Sequence, residues 1–308
     1  MTDSATSAAI SPTEFRAAGT DLSERRRSGV SRGPLIDLVR PAGAPDITWN
    51  ENGAARISAF TTIATLAADA KLAAAYPGLA AAAAGLATPQ IRHMATLGGN
   101  LAQRSRCWYF RDPHIACLKK GGDACPARNG NHLYGVAFDL GPCIAPHPST
   151  MAAALLAYDA TVTTNQRQHL GIAALLGDGS NGHADNLLAP GEVIESVDLD
   201  VPAAGERALY RRAISRSHAE WPLAEVVVRA VIADGTFKLA RVAAGGIAPV
   251  PLQLEAAESV LRGAAANAAT IDKAVAQSTV GANPLPMTGY KLDLLRGLMR
   301  DLLERIIA

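Results

Sequence analysis

The chain has 308 residues, of which 49% are hydrophobic and 19% charged, with a formal net charge of +1. This balance is typical of a globular protein with two or three packed units; it excludes a disordered chain and gives no field that would attract nucleic acid or an anionic membrane. No segment reaches the roughly 18 apolar residues of a membrane helix, so we expect no membrane insertion. No basic region precedes an apolar core at the N-terminus, as it would in a secretory signal. We therefore expect a cytoplasmic protein, or a periplasmic one that is exported together with a signal-bearing partner.

The first 205 residues predict short strands alternating with helices. Residues 1–14 are rich in Ser, Thr and Ala and predict a flexible lead-in. From Phe15 the pattern predicts a strand, a glycine turn and a polar helix; further strands are predicted over 34–38, 56–60, 160–164 and 193–201. Helices are predicted after Thr61 or Thr62, over 71–87 with a break at Pro77, and over 151–158. A second glycine turn at 96–101 precedes a long irregular segment, 104–146, and such segments usually have a function.

The residues from about 206 predict a separate α+β unit. Three strands are predicted over 206–215, 222–232 and 236–247, followed by helices over 254–263, 269–277 and 290–307. The last helix has an apolar stripe at helical spacing, which makes it the clearest of these predictions.

The four cysteines are the most informative feature of the composition. Cys107, Cys117, Cys125 and Cys143 all lie in the irregular segment, and the rest of the chain has none. Structural zinc sites usually contain a C-x₂₋₄-C pair, which is absent here. Thiolates are also the standard ligands of iron–sulfur clusters, and each iron of a 4Fe–4S cube needs one. The spacing favours a cluster and leaves zinc, free thiols or disulfides open.

Two glycine turns suggest phosphate binding, because glycine lets backbone amides approach a pyrophosphate closely. They lie at Gly19 and at Gly98-Gly99. A formal G-x-G-x-x-G match at 177–182 follows a helix-like segment instead of a strand, so we expect it to be an ordinary loop.

Four segments in order resemble the FAD-binding medium subunit of the molybdenum hydroxylases, the xanthine dehydrogenase and carbon monoxide dehydrogenase family. They are residues 16–22, 90–101, 191–194 and 244–249. Residues 103–110 and 143–149, which flank cysteines, are similar to the branch with an extra 4Fe–4S cluster, and closer to its periplasmic aldehyde oxidoreductase type.

This resemblance implies an α+β fold: a two-part FAD-binding domain of the vanillyl-alcohol-oxidase type with an iron–sulfur insertion, plus a C-terminal α+β domain. The boundaries would be 15–70 and 71–205 for the two parts, 104–146 for the insertion and 206–308 for the C-terminal domain. It also implies a set of cofactor-binding residues, which comprises Ala17, Ala18, Gly19, Thr20, Asp21, Leu22, Thr96, Gly98, Gly99, Asn100, Leu101, Ser149 and Arg212. The four cysteines would hold the 4Fe–4S cluster, and no residue of this chain would be catalytic.

The resemblance further implies a heterotrimer in which this oxidoreductase subunit transfers electrons. A large subunit with the molybdenum cofactor would oxidise an aldehyde, a small subunit with 2Fe–2S clusters would pass the electrons to FAD here, and an external acceptor would receive them. Ala18 and Thr150 stand where the family commonly has Gly and Asp. These departures leave open a cluster-only relay that has lost FAD, and the four cysteines leave open a scaffold that holds zinc.

Overall fold

The computed structural model describes residues 13–308, so residues 1–12, which hold most of the predicted lead-in, lie outside the described residues. The first strand begins at Glu14, one residue before its predicted start. In the described part of the chain, no helix is both long and apolar enough to span a membrane.

Within residues 13–205 the structure has seven strands and nine α-helices. The strands are β1 (Glu14–Arg16), β2 (Leu35–Asp37), β3 (Ile47–Trp49), β4 (Ala55–Ser58), β5 (Thr161–Thr164), β6 (Leu170–Gly171) and β7 (Ile194–Leu199). The helices are α1 (Leu22–Arg27), α2 (Ile63–Ala68), α3 (Ala70–Ala75), α4 (Pro77–Gly85), α5 (Pro89–Met94), α6 (Leu97–Leu101), α7 (Trp108–Arg111), α8 (Thr150–Ala157) and α9 (Ile172–Leu176).

Local sequence explains where several of these helices begin. The hydroxyls of Thr62, Thr96 and Ser149 each accept a hydrogen bond from a backbone N–H in the first turn of α2, α6 and α8. Such caps satisfy donors that a helix leaves free. Pro77 occupies the first turn of α4, so the predicted break in 71–87 is confirmed as two consecutive helices.

These elements form two sheets, and the larger one packs on the core. β1 and β2 make a small parallel pair, while an antiparallel sheet has the order β3-β4-β7-β5-β6. Because β4 pairs with β7, residues near 57 and near 197 are neighbours in the same sheet. Helix α8 is buried along its whole length in the core, which alanine and leucine side chains fill.

The C-terminal unit is an antiparallel sheet covered by helices, as predicted. It contains β8 (Glu206–Ala213), β9 (Ala224–Ala233), β10 (Thr236–Gly245), β11 (Leu252–Gln253), α10 (Glu255–Leu261), α11 (Ala268–Gln277) and α12 (Tyr290–Ile307). The strand order is β11-β10-β9-β8, and the apolar stripe of α12 packs in the core of this unit.

Candidate functional site

A cleft of about 290 Å³ lies where the two glycine-containing loops meet α8 and the first strand of the C-terminal sheet. Its walls combine backbone from the loops with polar and apolar side chains. The lining residues are Thr20, Asp21, Leu86, Ala87, Thr88, Ile91, Ala95, Gly99, Asn100, Gln103, Arg106, Pro148, Thr150, Arg212, Ala219, Glu220, Trp221 and Pro222.

The first loop joins β1 to α1 and contains one glycine that the backbone requires. Gly19 has φ of +75°, and a Cβ built there would lie 2.8 Å from Ser23 Oγ. The φ angle of Ala18 is not positive. An alanine at position 18 therefore causes no backbone strain, and the loop keeps its glycine at the position that needs one.

The second glycine segment is a short helix, which corrects the predicted turn at 96–101. Thr96 caps α6 by accepting from Gly99 N at 3.2 Å. A Cβ at Gly98 would lie 2.8 Å from Ala59 Cβ, so the helix packs directly on the residue that follows β4. The five residues of α6 form a single helical turn. Its glycines allow close packing and do not form a left-handed bend.

A buried network behind the cleft joins this helix to the start of α8. Ser149 Oγ donates to Asn100 Oδ1 at 2.7 Å while accepting from Ala152 N. His147 Nδ1 lies 3.3 Å from Ser149 N, and its Nε2 lies 3.0 Å from Asp185 O. With an acceptor at Nδ1 and a donor at Nε2, the imidazole of His147 is neutral. Burial favours the same state, because it lowers the pKa of His147 to about 4.

Asp21 connects the first loop to the cysteine-bearing segment. Its carboxylate lies 2.8 Å from Arg106, 2.7 Å from Arg111 and 3.0 Å from Arg25, and it also accepts from Arg104 N. Burial opposes its ionisation, but the neighbouring arginines prevail and keep the pKa of Asp21 below its usual value. The side chain predicted to bind cofactor thus has a structural role as well.

Asp185 fixes the other side of the same segment. It lies 2.8 Å from Lys119 Nζ and 2.5 Å from Arg104 Nε, and the side chains of Asp185 and Lys119 are both buried. Burial raises the pKa of its carboxyl, and the attraction of the two cations more than compensates, so the pKa of Asp185 falls to about 2. The glycine-rich loop 177–182, predicted to be an ordinary loop, leads into Asp185 and packs on the segment: a Cβ at Gly182 would lie 2.7 Å from Pro142.

The four cysteines are reduced and gathered in one region. Cys107, Cys125 and Cys143 pack against Leu118, while Cys117 is close enough for its charge to act on Cys107. Cys125 and Cys143 share a hydrogen bond that lowers the pKa of Cys125 to about 5 and raises the pKa of Cys143. Among residues 13–308, no three His, Cys, Asp or Glu side chains are placed to hold a single metal ion.

A second cleft, of about 370 Å³, adjoins the first and extends to Cys107. Arg106, Glu220, Trp221 and Pro222 line both clefts. The Arg106 guanidinium lies 4.4 Å from the Trp221 ring, an attractive cation–π contact. Arg106 and Trp221 therefore stand between the cysteine region and the first cleft.

Comparison with known proteins identifies the family. Residues 8–203 match the model described as the FAD binding domain in molybdopterin dehydrogenase, and residues 209–306 match the CO dehydrogenase flavoprotein C-terminal domain. The chain belongs to the family of FAD-binding medium subunits of the molybdenum hydroxylases. It is thus a subunit of an oxidoreductase.

Individual relatives agree with this assignment. The aldehyde oxidoreductase FAD-binding subunit PaoB of Escherichia coli is 34% identical over 256 residues, which cover 80% of this chain and 79% of that protein. The carbon monoxide dehydrogenase medium chain of Afipia carboxidovorans is 27% identical, with coverage of 71% and 62%. The solved carbon monoxide dehydrogenase from Hydrogenophaga pseudoflava shares the fold, with a TM-score of 0.72 at 22% identity and coverage of 95% and 88%.

Within this FAD-binding subunit, the predicted cofactor residues divide into two groups. Those on the cleft surface are Thr20, Asp21, Gly99, Asn100 and Arg212. The others lie beside or behind the cleft and include Ala17, Ala18, Gly19, Leu22, Thr96, Gly98, Leu101 and Ser149. Leu22 and Leu101 are buried core residues.

Sequence reasoning missed the cleft residues that no glycine motif marks. Trp221 and Glu220 come from the loop after β8, where Arg212 donates to the carbonyl oxygens of His218 and Glu220. Thr88 caps α5 by accepting from Ile91 N. The Thr-Pro pair at 88–89, a typical helix start, was the one local signal available for that wall.

Proposed function

We propose that this chain is the FAD-binding, electron-transfer subunit of a molybdenum-dependent aldehyde oxidoreductase-like complex. The observation that carries the proposal is the first cleft, which lies where both glycine-containing segments, α8 and Arg212 of β8 come together. The 34% identity to a relative named as an aldehyde oxidoreductase subunit supports the substrate class.

In this proposal the backbone of Gly19–Asp21 and of Thr96–Asn100 holds the FAD pyrophosphate. The presence of Thr20, Gly99 and Asn100 on the cleft surface supports it. Ser149 keeps Asn100 oriented, and Arg212 offers a cation at the rim of the cleft. When bound, FAD would convert between one-electron and two-electron transfer. The protein would bind the cofactor and shape its surroundings.

We further propose that Cys107, Cys117, Cys125 and Cys143 hold the 4Fe–4S cluster of this branch. A cubane takes one thiolate at each iron, so its ligands need not be close enough to share a single ion. Backbone N–H groups of Phe110, Ile144 and Ala145 are directed at three of the sulfurs, and such hydrogen bonds tune a cluster.

The same proposal includes the domain plan and the partners. Residues 15–70 and 71–205 would be the two parts of a vanillyl-alcohol-oxidase-type FAD domain, with 104–146 as the iron–sulfur insertion and 206–308 as the C-terminal domain. A small 2Fe–2S subunit would deliver electrons from a large molybdenum subunit, and an external acceptor would take them from FAD.

Cofactor analysis of the natively purified complex tests the proposal. We expect one FAD per chain, released by acid and quantified by absorbance, and four irons per copy of this chain beyond those of the 2Fe–2S subunit. Loss of FAD from an otherwise loaded complex would favour the cluster-only relay. One zinc in place of the four irons would refute the cluster and favour the scaffold.

Variants of single cysteines locate the cluster. Replacing Cys117 by Ser should remove the extra iron and leave FAD in place, because the cysteine lies outside the first cleft. Asp123→Asn is the matched control, since Asp123 is exposed in the same segment. Equal iron in the two variants would contradict the assignment.

A further inference from the structure

A buried carboxyl group lies beneath the floor of the first cleft. Glu225 of β9 is only 1% exposed, and Tyr210 donates its hydroxyl proton to Glu225 Oε2 at 2.8 Å. The Thr150 side chain lies next to this carboxyl and favours its ionised form. Thr150 and Arg212 line the cleft, so a single side chain separates Glu225 from its interior.

The fold leaves room for this group. Gly245 of β10 faces it, and a Cβ at that position would lie 2.5 Å from Glu225 Oε1. The polar groups around the carboxyl are Tyr210 and Arg212 from β8 and Thr150 from α8, while β10 contributes the glycine. Burial opposes ionisation of the carboxyl, and the positive charge of Arg212 offsets this effect only in part.

We propose that Glu225 is a positioning residue for the flavin: it holds the Thr150 side chain in the floor of the cleft and takes up a proton from solvent when negative charge accumulates there. The inference rests on the proposed FAD site.

The electrostatics of the site agree with this role. Burial raises the pKa of Glu225 to about 7, so its charge changes close to neutral pH. The pKa of Tyr210 is raised well above its usual value by burial and by the Glu225 charge, so the phenol keeps its proton and remains a donor. The carboxyl, not the phenol, is therefore the group that can gain or lose a proton.

Proton uptake by Glu225 keeps the charge of the cleft constant. The iron–sulfur subunit of the proposed complex supplies two electrons to the cleft, and solvent supplies one proton. The cleft therefore gains one net negative charge. The Glu225 carboxylate takes a second proton from solvent and becomes neutral. The buried site then holds the same net charge before and after reduction, which avoids a new uncompensated charge at low dielectric.

The test is the midpoint potential of the bound flavin in the purified complex, measured by spectroscopic titration from pH 6 to 8.5. Glu225→Gln is a permanently neutral analogue. We expect the midpoint potential of this variant to equal that of the wild type at pH 6. At pH 8 we expect the variant to bind the reduced flavin, relative to the oxidised flavin, about tenfold more tightly than the wild type does. For a two-electron couple this raises the midpoint potential by about 30 mV. Glu258→Gln is the control, because Glu258 is equally buried but lies on α10.

Identical potential–pH curves for the wild type and Glu225→Gln would overturn the proposal. Thr150→Val provides a second route if Glu225→Gln fails to fold, because it keeps the carboxyl and removes the Thr150 hydroxyl. It should reduce the pH-dependent part of the potential, and an unchanged curve would again overturn the proposal. A wild-type complex without FAD would refute the proposed function itself, a result distinct from either curve.

Discussion

Single residues at glycine positions determine how closely the chain can pack around the cleft. A Cβ added at Gly98 would press against Ala59 Cβ, whereas a Cβ added at Gly297 in α12 would have no neighbouring atom within 4 Å. The same substitution should therefore have opposite effects at these two sites.

We expect Gly98→Ala to lower the free energy of unfolding by about 1–3 kcal/mol, because the new methyl group overlaps Ala59 and forces the helix to move. Gly297→Ala should raise it by up to ~1 kcal/mol, because alanine favours a helix interior more than glycine does. Urea denaturation of both variants measures the difference. An equally stable Gly98→Ala protein would show that α6 does not pack as described.

His147 predicts a pH dependence of stability. Its pKa is about 4 in the folded protein and about 6.5 when unfolded, so between these values the unfolded state binds more protons. The free energy of unfolding should therefore fall as the pH drops from 6.5 to 4, by about 3 kcal/mol in total. His147→Gln should flatten this part of the profile, and His93→Gln, an exposed control, should leave it intact.

At the scale of elements, most strands and helices could be predicted from local pattern. The apolar stripe of α12 gave its bounds, Tyr290–Ile307, and Pro77 marked the break between α3 and α4. The short strand Ile47–Trp49 was missed, because three residues show too little alternation to detect. Residues 96–101 were predicted as a turn because two glycines hid a helix that Thr96 caps.

The loop between α9 and β7 supports the cysteine segment through Asp185. We expect Asp185→Asn to cost about 3–5 kcal/mol, because it leaves the buried Lys119 ammonium without its partner. Asp178→Asn, at an exposed position in the same loop, is the control and should change stability little. Urea denaturation measures both, and equal midpoints would show that the loop does not anchor the segment.

At the scale of the whole molecule, the core of the N-terminal unit extends onto the C-terminal sheet. Ala208, Val227 and Ala243 of the C-terminal sheet pack in the same cluster as α8. Arg229 adds a polar connection: it pairs with Glu206 at 2.8 Å, donates to Ala157 O at the end of α8, and covers the Tyr158 ring. The contacts of Arg229 with Ala157 and Tyr158 could not be predicted from the sequence, because they are defined only by the packing of the two units.

Arg229→Ala should be strongly destabilising, by about 3–5 kcal/mol, since Glu206 would remain buried without a cation. Arg300→Ala removes exposed ion pairs with Asp272 and Glu304 and serves as the matched control, with little change expected. Thermal unfolding followed by circular dichroism compares the two. Similar melting temperatures would mean that the junction does not depend on Arg229.

The Asp21 carboxylate has a consequence for how such a subunit is assembled. One side chain holds both the loop of the proposed FAD site and the arginines that lead to Cys107, so ordering either segment favours the order of the other. In the proposed complex, a ligand that orders one segment would favour order in the other, and by reciprocity the coupling would act equally in both directions.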